Sequence, residues 1–259
     1  MDTETPLPRW FTDLLAHRHW VRRTQPFPHV YVREVFVRGF YDRLAGEFER
    51  VLREQPGLFG SVAEGYGATG VNLTQVRNGP MELFLTRAWH DLLARLVGVQ
   101  DEATGDVEGS LHHHPPDSPR GWPHHDLAPA WFPGQAPGPD TVGLIGEDVD
   151  LETGATRDGA AARELVRAVA VLFYLGNAEW QPGAGGETAL FSAADRNTSQ
   201  PAVHVPPLNN SMVVFECTPR SWHTFAGANT AARNSVVMWL HRPREQAVRR
   251  WGGAAIANW

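Results

Sequence analysis

Lysine is absent from this 259-residue chain: all 23 of its basic residues are arginine. That excludes a Schiff-base enzyme, a pyridoxal-phosphate lysine and the lysine of a phosphate-binding P-loop. A single cysteine, Cys217, excludes an internal disulfide framework and any cysteine-rich zinc or iron–sulfur site. No apolar run approaches the roughly 20 residues that a membrane helix needs. The opening stretch, MDTETPLPRWFTDLL, has no basic segment leading into an apolar one, so it does not read as a secretory signal. With 29 acidic residues the net charge is −6, and no basic run stands out. Neither nucleic acid nor an anionic membrane is an expected partner. The expectation is a soluble, cytoplasmic protein.

What is present points to a metal. The chain holds 12 histidines, alongside 10 tryptophans, 25 glycines and 20 prolines. Residues 1–105 read as mainly helical. Val37, Phe40, Leu44, Phe48, Val51 and Leu52 recur at helical spacing over Val37–Leu52, with Gly57 as a stop, and a second such pattern runs from Met81 to Val97. Trp10–Leu15 predicts a turn or two more. Beyond residue 105 the apolar residues fall into short runs broken by Pro, Gly, Asn and Asp, as in a sheet protein. Ala168–Leu175, Met212–Glu216 and Ser235–His241 are the clearest strands; Ala202–Val205 and two segments flanking Pro115–Gly121 are weaker. Pro133–Gly159, rich in Gly, Pro and acidic residues, predicts a long functional or disordered loop. Its acidic part, Glu147–Glu152, reads as solvated surface, with a lid as the second reading. The whole is expected to be one domain, 1–259: a helical support layer over 1–105, a β core over 106–245 and a tail over 246–259.

Three residues have the spacing of a metal site. In an extended segment His124 and Asp126 share a face while His125 points away. His223 follows the apolar run Met212–Phe215, at or just past a strand end. Two histidines and a carboxylate on one face of an octahedral ion leave three positions open, as in the non-haem Fe(II) oxygenases. Ten residues after His223 comes Arg233, then Ser235. A fork-shaped, permanently charged guanidinium suits bidentate binding of a carboxylate, and a neighbouring hydroxyl can share it.

With these residues in this order, the chain resembles the Fe(II)/2-oxoglutarate-dependent dioxygenases, and among them the prolyl-4-hydroxylase-like branch. The strand of Ala168–Phe191 leading to Tyr-Leu-Gly-Asn, a tryptophan and Gly-Gly-Glu is similar to that branch, as is VPPLNNSMVVFECTPRSWHTF around His223. The likeness spans roughly Ser110 to Arg242. It departs in the extra glycine of Tyr-Leu-Gly-Asn, in the insert between Asp126 and Ala168, and in Arg233 where the branch usually has lysine. The resemblance implies a double-stranded β-helix, or jelly roll, mainly β with flanking N-terminal helices. It implies Fe(II) on His124, Asp126 and His223, and 2-oxoglutarate paired through its distal carboxylate with Arg233 and Ser235. Dioxygen is then the oxidant, ascorbate a reductant in vitro, and succinate and CO2 the co-products. The expected reaction is hydroxylation of a small amino-acid-like or peptide-like metabolite, of the kind made in natural-product biosynthesis.

Trp131 and Phe132 are candidates for a substrate wall, Asn177 for the mouth of the site, and His114, from the run His112-His113-His114, for a group facing the pocket. Two other classes compete. One is a zinc hydrolase or cupin-type isomerase on the same three ligands; the other is a jelly roll that binds a metal or ligand without catalysis. Arg233 argues against the first, since such sites need no carboxylate clamp at that spacing. Oligomeric state is left open by the sequence.

Overall fold

The run Ala168–Leu175 is apolar at every position because the strand that contains it is covered on both faces. Val169, Val171 and Phe173 meet the helical layer, while Ala170, Leu172 and Tyr174 meet the opposite side. In the computed structural model, residues 6–63, 66–145, 149–150, 153–156, 159, 161–192 and 200–257 are described. Their strands are β1 (Arg22–Arg23), β2 (His29–Arg33), β3 (Gly60–Ser61), β4 (Thr69–Asn72), β5 (Asp106–His114), β6 (Pro129–Pro133) and β7 (Gly143–Leu144). Then follow β8 (Ala162–Tyr174), β9 (Thr188–Leu190), β10 (Val203–Val205), β11 (Ser211–Glu216), β12 (His223–Phe225) and β13 (Arg233–Pro243). The helices are α1 (Arg9–Thr12), α2 (Arg38–Glu54), α3 (Arg87–Val97) and α4 (Arg244–Trp251).

A large sheet runs β1-β2-β11-β8-β13-β5-β4-β3, with β6 added on β8 and β7 on β5; a small sheet runs β10-β9-β12. Pairing is antiparallel throughout except for β5 with β7. This is the mainly β, jelly-roll architecture with N-terminal helices. One face of the large sheet carries α2 and α3. Phe40, Leu44 and Phe48 of α2 and Trp89 and Leu93 of α3 share a cluster with Phe173, Met212, Val236 and Met238 of the strands. The other face and the small sheet enclose the cavity described below.

The helices differ from the sequence reading in detail. Helix α2 stops at Glu54 because Pro56 disfavours helical geometry at the preceding residue, so the stop precedes Gly57. The Met81–Val97 pattern is broken in two. Gly79–Leu85 winds as a 3-10 helix, Thr86 turns extended, and its hydroxyl then accepts from the Trp89 N–H to start α3. A capping residue inside an apolar pattern ends one element and begins the next. The first 105 residues also give four strands. β2 and β4 extend the large sheet on either side, so the helical layer and the β core interleave. Of the two weaker strands expected around Pro115–Gly121, the first is β5; after Gly121 only an isolated bridge forms, at His124. In Pro133–Gly159, Gly143–Leu144 pairs with the start of β5. Of the Glu147–Glu152 stretch, only Val149 and Asp150 are among the described residues.

At the start of β5, Asp106 is fully buried and takes a two-pronged bond from Arg163, 2.8 and 3.0 Å long. Gly143 leaves room for it: a Cβ there would lie 2.0 Å from the carboxylate. Removing one partner strands the other charge in the protein interior. Arg163→Ala is expected to cost about 3–5 kcal/mol in a denaturant titration.

Candidate active site

His124 and His223 face each other across a two-residue antiparallel bridge. The His124 N–H donates to the His223 carbonyl at 3.0 Å, and the His223 N–H donates back at 2.8 Å. Residues paired in this way send their side chains to the same side. The imidazole centroids are accordingly 4.4 Å apart. His125 alternates to the other face, its ring edge-on to Trp222 at 4.9 Å. Asp126 returns to the histidine face, with carboxylate oxygens 3.6 Å from His124 Nε2 and 3.3 Å from His223 Nε2. One ligand atom from each of His124, Asp126 and His223 lies within 4.8 Å of the others.

The hydrogen bonds behind these residues settle which atoms face inward. His124 Nδ1 donates to the Trp122 carbonyl at 2.9 Å, and His223 Nδ1 donates to the Ser221 carbonyl at 3.0 Å. Both rings therefore turn Nε2 towards the Asp126 carboxylate, the arrangement in which such outer partners orient metal-binding histidines. Burial and the neighbouring His223 push His124 down to about 4. Burial alone would raise the Asp126 carboxyl, but His223, His124 and Arg167 hold it well below the usual carboxylate range. Burial works against a proton on His223, and the adjacent Asp126 carboxylate outweighs it and raises the imidazole. Carboxylate and imidazoles thus converge on one point that favours a cation. The residues present fit a divalent metal of the facial two-histidine, one-carboxylate kind.

Asp126 is held from behind by residues the sequence reading did not single out. Trp239 Nε1 donates to its Oδ2 at 2.9 Å, and Arg167 lies 3.9 Å from Oδ1. Arg167 stacks on the Trp239 ring at 3.8 Å and is paired with Glu108 at 3.1 Å. Trp239 shares its face with Arg233, Ser235 and Val237 by plain strand alternation. Arg167 breaks that rule. Between Leu240 and His241 the register with β8 shifts, and Ala168 has no partner on β13. This bulge turns Arg167 onto the face that Ala170, Leu172 and Tyr174 occupy, re-aiming a side chain next to the site. Trp239→Phe keeps the packing but removes the N–H, and is expected to weaken Fe(II) affinity about 10–100-fold in an anaerobic metal titration.

Arg233 opens β13 on the same side of the large sheet. Its Nη1 donates to Ser235 Oγ at 2.9 Å and its Nη2 to Thr188 Oγ1 at 3.1 Å. The Tyr174 hydroxyl joins Thr188 at 2.7 Å, and the guanidinium lies 5.1 Å from the Tyr174 ring. Arg233 is 3% exposed, yet among the described residues no carboxylate pairs with it. The other fully buried arginine, Arg242, is paired with both Glu102 and Glu216. A buried cation without an anion is costly, and a hydroxyl-lined guanidinium is a ready seat for a ligand carboxylate. The triad and Arg233 line one cavity of about 270 Å³, whose wall includes Leu172, Phe225 and Val237.

The four substrate-contact candidates lie elsewhere. Strand β6 pairs with the first half of β8 and carries the chain away from the cavity after Asp126. Phe132 is packed on His241 with ring centroids 4.6 Å apart, and Trp131 covers Gly154, so neither lines the cavity. Asn177 is a turn clamp. Its Oδ1 accepts from the Asn234 N–H at 2.6 Å, and its amide donates to the Pro207 and Asn234 carbonyls. His114 is buried behind the wall, stacked on Phe225 at 3.9 Å. Of its run, His112 is the one that lines the cavity, while His113 bonds Asn234. Alternation allowed 112 and 114 equally, and the stack on Phe225 takes 114 out of reach.

Residues 155–241, which include His223, Arg233 and Ser235, match the 2OG-Fe(II) oxygenase superfamily. No curated protein matches the chain significantly. Among solved structures, a Pseudomonas putida prolyl-4-hydroxylase is 19% identical, covering 83% of this chain and 92% of its own with a TM-score of 0.54. A prolyl hydroxylase from Trichoplax adhaerens, solved with a hypoxia-inducible-factor oxygen degradation domain peptide, is 16% identical, covering 85% and 86% with a TM-score of 0.54. The chain therefore has the fold of these prolyl-4-hydroxylases, and its stretch 155–241 is similar to the 2OG-Fe(II) oxygenase superfamily.

Proposed function

We propose that this protein uses Fe(II) and 2-oxoglutarate to hydroxylate an unactivated C–H bond of a small amino-acid-like or peptide-like metabolite, releasing succinate and CO2. The observation that carries the reading is the buried Arg233, without a carboxylate partner among the described residues, in the same cavity as the His-Asp-His cluster. A metal hydrolase or isomerase on the same three ligands has no use for it.

His124, Asp126 and His223 would hold the iron, and Arg233 with Ser235 would hold the distal carboxylate of 2-oxoglutarate. Iron, 2-oxoglutarate and dioxygen supply the oxidising chemistry when bound. The chain's own part is to bind, orient and exclude water. Trp239 and Arg167 fix the Asp126 carboxylate, so that its single negative charge stays on the metal side of the cavity. Thr188 and Ser235 accept the Arg233 N–H groups and hold the fork in place before a ligand arrives, which lowers the ordering cost of binding. Leu172, Phe225 and Val237 give the cavity an apolar wall, beside which charge pairs are stronger than in water.

The test is coupled turnover. Purified protein with Fe(II), ascorbate, dioxygen and 2-oxoglutarate is screened against free amino acids, peptides and carrier-bound substrates for succinate release and a product mass increase of one oxygen. Succinate that depends on Fe(II) and 2-oxoglutarate, with that mass shift, supports the reading. Metal-dependent hydrolysis or isomerisation of a substrate without succinate would replace it.

A further inference from the structure

His112 faces the cavity, and neither the metal cluster nor the Arg233 clamp uses it. It sits two residues before the end of β5, opposite Ser235 of β13 on one side and Gly70 of β4 on the other. Alternation puts its side chain on the face of Ser235 and Arg233. Only 7% of the residue is exposed, and its ring has no hydrogen-bond partner among the described residues. It lines the same cavity as Arg233 of the clamp and as His124, Asp126 and His223 of the metal cluster. A Cβ at Gly70 would come within 3.0 Å of Val62, 3.1 Å of the Leu111 carbonyl and 3.3 Å of the His112 ring.

A neutral imidazole carries one donor and one acceptor, and no described residue meets either of them in His112. A molecule bound in the cavity is placed to do so. On the reading proposed above, 2-oxoglutarate spans the distance from Arg233 to the metal. Its distal end already has Arg233 and the hydroxyls around it, while its keto-carboxylate end has no protein donor assigned. We propose that His112 is a co-substrate-binding residue whose ring N–H donates to an oxygen at the keto-carboxylate end of bound 2-oxoglutarate. This inference rests on the proposed function.

The experiment is an anaerobic titration of 2-oxoglutarate into Fe(II)-loaded protein, followed through the visible metal-to-ligand charge-transfer band. The wild type is compared with His112→Leu and His112→Gln, and Mn(II) binding is measured separately without 2-oxoglutarate. Loss of one neutral hydrogen bond should weaken 2-oxoglutarate binding about tenfold in His112→Leu and move the band, with Mn(II) affinity unchanged. His112→Gln, which keeps an N–H at similar reach, should recover most of both. Thermal melts check folding; His112→Leu removes an unpaired polar group and should melt no lower than the wild type. A leucine variant with wild-type affinity and band position overturns the inference alone. A leucine variant whose loss is in Mn(II) binding also overturns it. A wild type with no band overturns the reading of the site, and this inference with it.

Discussion

Arg233→Ala should weaken 2-oxoglutarate binding by between about thirtyfold and several-thousandfold while the protein still binds Fe(II). The range follows from the loss of a charge-assisted, two-pronged pair in a desolvated site, about 2–5 kcal/mol, at tenfold per 1.4 kcal/mol. Arg233 touches none of the three candidate ligands; its own bonds go to Ser235 and Thr188, so metal affinity should hold. Arg233→Lys should recover little, because an ammonium cannot present the two parallel N–H groups that now reach Ser235 and Thr188. Isothermal titration of 2-oxoglutarate into the Mn(II)-loaded variants measures the effect without turnover. Normal binding by Arg233→Ala would move the clamp to another residue.

The second large effect concerns the cluster itself. His124→Ala, Asp126→Ala and His223→Ala should each abolish succinate release, since each removes one of the three candidate protein ligands. The three differ in what they leave behind. Asp126→Ala takes the only carboxylate from between two imidazoles 4.4 Å apart and leaves Trp239 and Arg167 pointing at a gap. It should therefore show the largest drop in metal affinity. His223→Ala also frees Asp126 from its 3.3 Å partner, and His124→Ala from its 3.6 Å one. An undiminished metal titration in any of the three would remove that residue from the ligand set.

Much of this site could be read from spacing because it is built on short-range rules. His124 and Asp126 lie two residues apart and so share a face, and Arg233 and Ser235 do the same on β13. His223 was legible as a residue at the end of an apolar strand. What brings these pieces together is long-range: the bridge between His124 and His223 joins segments almost a hundred residues apart, and periodicity carries no trace of it. Trp239 was within reach, since continuing the alternation from Arg233 arrives at it. Arg167 was not, because the unpaired Ala168 inverts the pattern that Ala170, Leu172 and Tyr174 establish. Trp131 and Phe132 misled for the opposite reason. They follow the His124–Asp126 segment closely in sequence, but β6 hydrogen-bonds to the first half of β8, which puts Phe132 in a cluster with Ala130 and Leu165 and Trp131 against Gly154. The helical layer was legible in α2, where a single apolar stripe is buried. It was less so from Met81 to Val97, where Thr86 supports either a continuous helix or a cap until the chain's path is known.

Anaerobic spectroscopy of the wild type tests most directly whether one cavity holds both an iron and a 2-oxo acid. Fe(II) alone and 2-oxoglutarate alone should each leave the visible spectrum featureless. Together they should give a charge-transfer band that saturates at one equivalent of each and fades when dioxygen and substrate are admitted. The same band should be absent from Asp126→Ala and should need far more 2-oxoglutarate in Arg233→Ala. A wild-type protein that binds Fe(II) at the His-Asp-His cluster yet gives no band at any 2-oxoglutarate concentration would contradict the account.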